Sequence, residues 1–306
     1  MKDHSSYSPL YRSFRKIRFL LRRRSLFSDP ARLPVQSDLT GNLSAIIFFN
    51  SLAIYLLAYI AVFITNLFVT GIAALANHIP VILYFHGAEF LIRGKDWTVD
   101  SINIVFSSGV LFMLILSAIL AVLYIKMSHQ NGIIRIFILW AFYHAVTRTF
   151  GEILVGALMN KGFGFVILYL FIMDTGKLLL TIVAILTLFV IGIMFARQSL
   201  FSANVYLNML KSRDCKGFIS RQFIWPFFAG MFLLMLIRLP NIDVYEIFIN
   251  SVTILLIIPI YLKSFGIEDL YFDEEPRKVR FGIILAVLLL LTIAAFRFIF
   301  GIGVRL

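Results

Sequence analysis

The sequence predicts an all-α, polytopic transmembrane helical bundle, and three observations carry that reading. First, 60% of its 306 residues are hydrophobic and only 14% are charged, against about 25% in a soluble domain. Second, the apolar residues come in blocks of about 20 or more, long enough to cross a bilayer core. Third, these blocks are continuous rather than alternating, which argues against a β-barrel.

The first 36 residues read as a basic cytoplasmic tail, and residues 37–306 as a single transmembrane domain. Net charge is +12, and nine of the 28 Lys and Arg fall within the first 32 residues. No long apolar stretch lies among them, so the tail is not a cleavable signal peptide. Leu10, Phe14, Ile17 and Leu21 recur at helical spacing, with Arg12, Arg15, Lys16, Arg22 and Arg23 mostly off that stripe. This is the pattern of a short interfacial helix, although Arg18 intrudes on the stripe. Beside so many spans, the basic charge points to orientation and to anionic lipid, not to nucleic acid. Pro30 and Pro34 break the chain before the first span.

Apolar spans are expected at about 44–69, 103–125, 136–158, 163–196, 222–238, 245–262 and 281–300. A softer block, 72–92, is interrupted by Asn77, His78, Pro80, His86 and Glu89. If it does not cross, 20 basic residues lie on the side of the N terminus and six on the other. If it crosses, the split is 15 to 11. The positive-inside rule therefore favours seven spans over eight, with the N terminus inside and the C terminus outside. A bacterial cytoplasmic (inner) membrane is the expected location. The lone cysteine, Cys215, allows neither an internal disulfide nor a cysteine-based metal site.

Ionisable residues at membrane depth are costly and mark candidate sites. His144, Arg148 and Glu152 follow at i, i+4, i+8 and share one helix face, so Arg148 and Glu152 can pair. Asp174 and Lys177 flank Thr175 and Gly176, and Asp174 suits an N-cap that starts a new helix inside the 163–196 stretch. On the soft block, His86 and Glu89 are i, i+3 neighbours if that block is helical. The connections at 93–102 and 159–162 are separated by two spans and so face the same side. Glu89, Glu152 and Asp174 should therefore approach one membrane face.

The stretch 76–112, ANHIPVILYFHGAEFLIRGKDWTVDSINIVFSSGVLF, with the later Met173–Lys177 segment MDTGK, resembles site-2-protease-type intramembrane zinc metalloproteases. That family has a helix with His-Glu-x-x-His, a short link, a Gly-containing start to the next span, and a later Leu-Asp-Gly segment that supplies an Asp ligand. The likeness covers about a third of the chain. It would make His86 and Asp174 zinc ligands, with His144 as a third that no family motif places. The sequence departs at the centre of the motif. Gly87 stands where the family has the general-base Glu, and Phe90 where it has the second His.

The leading expectation is accordingly a non-catalytic integral membrane protein with no cofactor. It would serve as a subunit or scaffold of a membrane complex, its polar cluster holding helices or binding a protein partner. An intramembrane zinc enzyme using His86, His144 and Asp174 is the alternative. A transporter or lipid-handling protein using Asp174–Lys177 and Arg148–Glu152 is a third.

Overall fold

A computed structural model describes Leu39 and residues 41–127, 132–272 and 282–306. The expected interfacial helix of the tail and the acidic run beginning at Asp273 lie outside the described residues. Among the described residues, seven helical segments are long and apolar enough to cross a membrane.

Helix α1 (Gly41–Ala76) is about 54 Å long at 1.5 Å per residue, well beyond a 30 Å hydrocarbon core. It ends where Asn77 Nδ2 bonds the Ala73 carbonyl at 2.8 Å and His78 turns to φ 59°, a left-handed exit of the kind that closes helices. Strands β1 (Val81–Tyr84) and β2 (Gly87–Phe90) then form an antiparallel hairpin. The soft block 72–92 is therefore not a span but the last turns of α1 followed by this hairpin. His86 and Glu89 are not helical neighbours: His86 lies in the turn and Glu89 on β2, exposed to solvent. The physical reason is a period of two. Val81, Leu83 and Phe85 are buried while Ile82, Tyr84 and His86 are less so, and Pro80 blocks continuation of the helix.

Helix α2 (Val99–Lys126) starts at a capping box between Thr98 and Ser101. Next come α3 (Ile133–Met159), the short α4 (Phe163–Tyr169) and α5 (Asp174–Phe201). The predicted break inside 163–196 is present. Met173, however, holds the N-cap position, and Asp174 is the first helical residue. Helix α6 (Cys215–Ile219) passes through a π-turn, Ser220–Ile224, into α7 (Trp225–Ile237). Pro226 supplies no N–H and its ring crowds the carbonyl one turn back, a local cause for the wider turn. Helices α8 (Val244–Ser251) and α9 (Thr253–Lys263) form one span, and α10 (Ile283–Ile302) is the last.

The spans alternate in direction, as their cross-links show. The two-residue strand β5 (Val304–Arg305) pairs with β1, extending the hairpin to a sheet ordered β2-β1-β5. This puts the end of α10 beside the end of α1. Lys177 Nζ donates to Asn160 Oδ1 at 3.2 Å, joining the start of α5 to the end of α3. At the other end, Tyr124 hydroxyl donates to the Gln198 carbonyl at 2.7 Å, and Gly282 N–H donates to Asn50 Oδ1 at 3.0 Å. Strands β3 (Met209–Leu210) and β4 (Leu270–Tyr271) pair there too.

Helix α3 is the hub, packing against α1, α2, α5 and α8. Glycines let it come close to its neighbours. A Cβ on Gly164 of α4 would lie 2.1 Å from the Gly156 carbonyl oxygen, and one on Gly151 would lie 3.2 Å from Ile249. Small residues at such crossings are how helices pack where lipid offers no hydrophobic drive.

Candidate functional site: a buried charge chain beneath a capped cleft

One turn of α3 places Arg148 and Glu152 on one face, and Arg148 Nε meets Glu152 Oε1 at 2.6 Å. The partnership extends further. Arg148 Nη1 donates to Glu246 Oε2 on α8 at 2.5 Å. Arg238, just past α7, approaches the same Glu246 oxygen at 3.4 Å and donates to the Tyr59 hydroxyl of α1 at 2.5 Å. The result is a chain of alternating sign, Glu152–Arg148–Glu246–Arg238, that joins α3, α8 and the α7 terminus and reaches α1 through Tyr59. Asn66 of α1 sits between its members. Its amide lies 3.3 Å from Glu152. With its oxygen turned toward the guanidinium it accepts from Arg148 at 3.1 Å. The ring of Phe63 lies 5.6 Å from one guanidinium and 4.7 Å from the other, a stacking role for which arginine is suited.

All four charged residues are buried: Arg148 is 8% exposed, Glu152 6%, Glu246 4% and Arg238 2%. Two cations and two anions sum to zero, so no net charge is left uncompensated at depth. An isolated ion in that position would cost several kcal/mol. His144 lies one turn from Arg148 but outside the chain. Its Nε2 faces the Tyr55 carbonyl at 3.2 Å, and its ring stacks on Trp140 and meets Tyr55 and Tyr59 edge-on.

Above the chain is a cleft of about 360 Å³. Arg148, Glu152 and Glu246 form its floor, Lys161 and Asp243 stand at its rim, and β2 supplies one wall through Gly87, Ala88 and Phe90. The sheet thus caps the end of the bundle where the cleft lies. His86 is half-buried in the hairpin turn. Burial first, and then the positive charge of Arg238, hold its imidazole below the usual histidine range.

The expected residues therefore share one end of the bundle but not one site. Arg148 and Glu152 are at the centre. Glu89 is exposed on β2, while Asp174 is fully exposed and 3.8 Å from Lys177. The candidate ligands His86, His144 and Asp174 are separated: one in the hairpin turn, one packed among rings, one in the open. Among the described residues no group of three His, Cys, Asp or Glu is placed to hold a metal ion. Sequence reasoning missed Glu246 and Arg238, the second half of the chain. Glu246 is the one acidic residue of the span Val244–Lys263, and that was the available signal. Arg238 sits at a span end, where a basic residue looks like an ordinary interfacial anchor.

Comparison with protein-family models, curated proteins and solved structures finds no match to this chain. The fold and its buried charges define a class: an integral, multi-pass α-helical membrane protein.

Proposed function

We propose that this chain is a non-catalytic subunit or scaffold of a bacterial cytoplasmic-membrane complex. Its N-terminal tail lies in the cytoplasm against anionic lipid, and its charge chain is a structural clamp. The observation that supports this reading is the closure of the chain. Glu152 is bound by Arg148, and Glu246 by Arg148 and Arg238. A general base needs a carboxylate free to take a proton at hydrogen-bond range. Here each buried carboxylate is held against a guanidinium.

Zinc analysis of the purified protein, alone and as His144→Ala and Asp174→Ala, tests the non-catalytic reading. Substoichiometric zinc in all three is expected. About one zinc per chain, lost in both variants, would move the protein to the enzymes. Native mass spectrometry from mild detergent tests the subunit reading, with a defined hetero-complex expected and a bare monomer contradicting it. Orientation needs introduced thiols, because Cys215 is buried, with its Sγ 3.5 Å from the Lys211 carbonyl. In a Cys215→Ser background, an impermeant reagent should label Lys95→Cys in intact cells and Lys263→Cys only after permeabilisation. The reverse pattern would invert the topology.

A further inference from the structure

The clamp accounts for the floor of the cleft but not for its rim and walls. Lys161 and Asp243 stand there with opposite charge, and among the described residues neither is in an ion pair. Asp243 does cap α8 by accepting from Tyr245 N–H at 3.0 Å. Tyr245 also lines the cleft, and its buried hydroxyl has no hydrogen-bond partner among the described residues. A buried hydroxyl without a partner is uncommon and asks for a ligand or water. One wall is aromatic. Phe90 meets Phe106 at 5.5 Å between ring centres, and Phe106 meets Phe165 at 5.2 Å. All three line the cleft.

These groups select a ligand chemistry. Aromatic faces with one carboxylate suit an ammonium group. One lysine and a phenolic hydroxyl, which can donate, suit a phosphate oxygen. The buried chain beneath the cleft sums to zero once Arg238 is counted, and Lys161 and Asp243 cancel at the rim, which favours a ligand with no net charge. The volume falls within the range of small-ligand sites.

The surroundings indicate the source. Helix α4, which carries Phe165, is followed in the chain by Leu170, Phe171 and Met173, which are 56%, 87% and 83% exposed. So large an apolar lip beside a membrane-spanning bundle belongs in the acyl layer. We propose that the cleft binds the headgroup of a zwitterionic phospholipid of the ammonium–phosphate kind. The ammonium lies against Asp243 and the phenyl rings, the phosphate lies at Lys161 and the Tyr245 hydroxyl, and the acyl chains leave over the lip.

The test uses full-length protein in detergent with added phosphatidylethanolamine or phosphatidylglycerol, and native mass spectrometry to count retained lipid. Phosphatidylethanolamine should be preferred by about tenfold, the scale of one charge-assisted contact. Lys161→Gln and Tyr245→Phe should each reduce its retention several-fold, while Lys95→Gln, away from the cleft, should not. Thermal unfolding of each variant shows that the fold is intact. Lys161 is exposed, so its variant reads binding even if Tyr245→Phe unfolds. Equal retention of the two lipids, or no loss in Lys161→Gln, overturns the proposal. Retention of free phosphoethanolamine as tight as that of the lipid overturns the bilayer source. Because the readout is lipid retained per chain, its failure leaves the clamp reading intact.

Discussion

Helices α3 and α10 are both apolar enough to span a membrane, yet they solve opposite problems. In α3, 78% of the most apolar stretch is buried inside the protein; in α10 the figure is 11%. The most buried span is also the least apolar of the seven, and it carries Arg135, His144, Arg148 and Glu152. The loosely packed span is mostly Leu, Ile, Ala and Phe, and its one charged residue, Arg297, lies toward its end and donates to the Ile237 carbonyl. In water the more hydrophobic helix would be the buried one. Here the order is inverted because lipid is as apolar as leucine, so burial in protein brings no hydrophobic gain. What α3 gains instead is partners for groups that lipid could not satisfy.

The largest expected effect lies at the bridging carboxylate. Glu246→Ala leaves Arg148 without one of its two carboxylates and Arg238 without any, in a buried site. A loss of roughly 3–5 kcal/mol follows, to be read as a large drop in the detergent unfolding temperature. Wild-type unfolding would show that the chain contributes little. The next effect is steric. Gly164→Ala forces a Cβ onto the Gly156 backbone, where no side chain can yield, and should cost about 1–3 kcal/mol. A smaller effect is expected on the other side of the comparison. Leu291 of α10 is 63% exposed, so Leu291→Ala should change stability by no more than about 0.5 kcal/mol. A core-sized loss there would mean that α10 packs on something other than lipid.

The mildest test is by pH, in the hairpin above the cleft. His86 titrates lower in the folded protein than in the unfolded chain. The unfolded state therefore takes up the proton first, and stability declines as pH falls below the ordinary histidine range. Below the folded value the loss stops growing. His86→Gln should remove that slope, and an unchanged slope would place its origin elsewhere.

This contrast also explains what could be read from the sequence. The spans were legible because each is a long apolar run, and Arg148 and Glu152 were legible because four residues is one helical turn. The hairpin was not. Val81 through Phe85 is apolar at every position, so the alternation of buried and open faces leaves no polar trace, and the segment looks like the side of a helix. Pro80 and the Asn77–His78 pair were the true signals. Arg238 and Glu246 were harder still. They are eight residues apart across a turn between two helices, and they join Arg148 only because α8 packs against α3 while α7 packs against α1 and α8. A partnership of that kind follows from tertiary structure and has no spacing to betray it.

Arg148 and Glu246, 98 positions apart, hold each other inside the membrane domain. A double-mutant cycle measures this directly: thermal or denaturant unfolding of wild type, Arg148→Ala, Glu246→Ala and the double variant in one detergent. The double variant should be less damaged than the sum of the two single variants by at least about 1 kcal/mol. Strict additivity would contradict it.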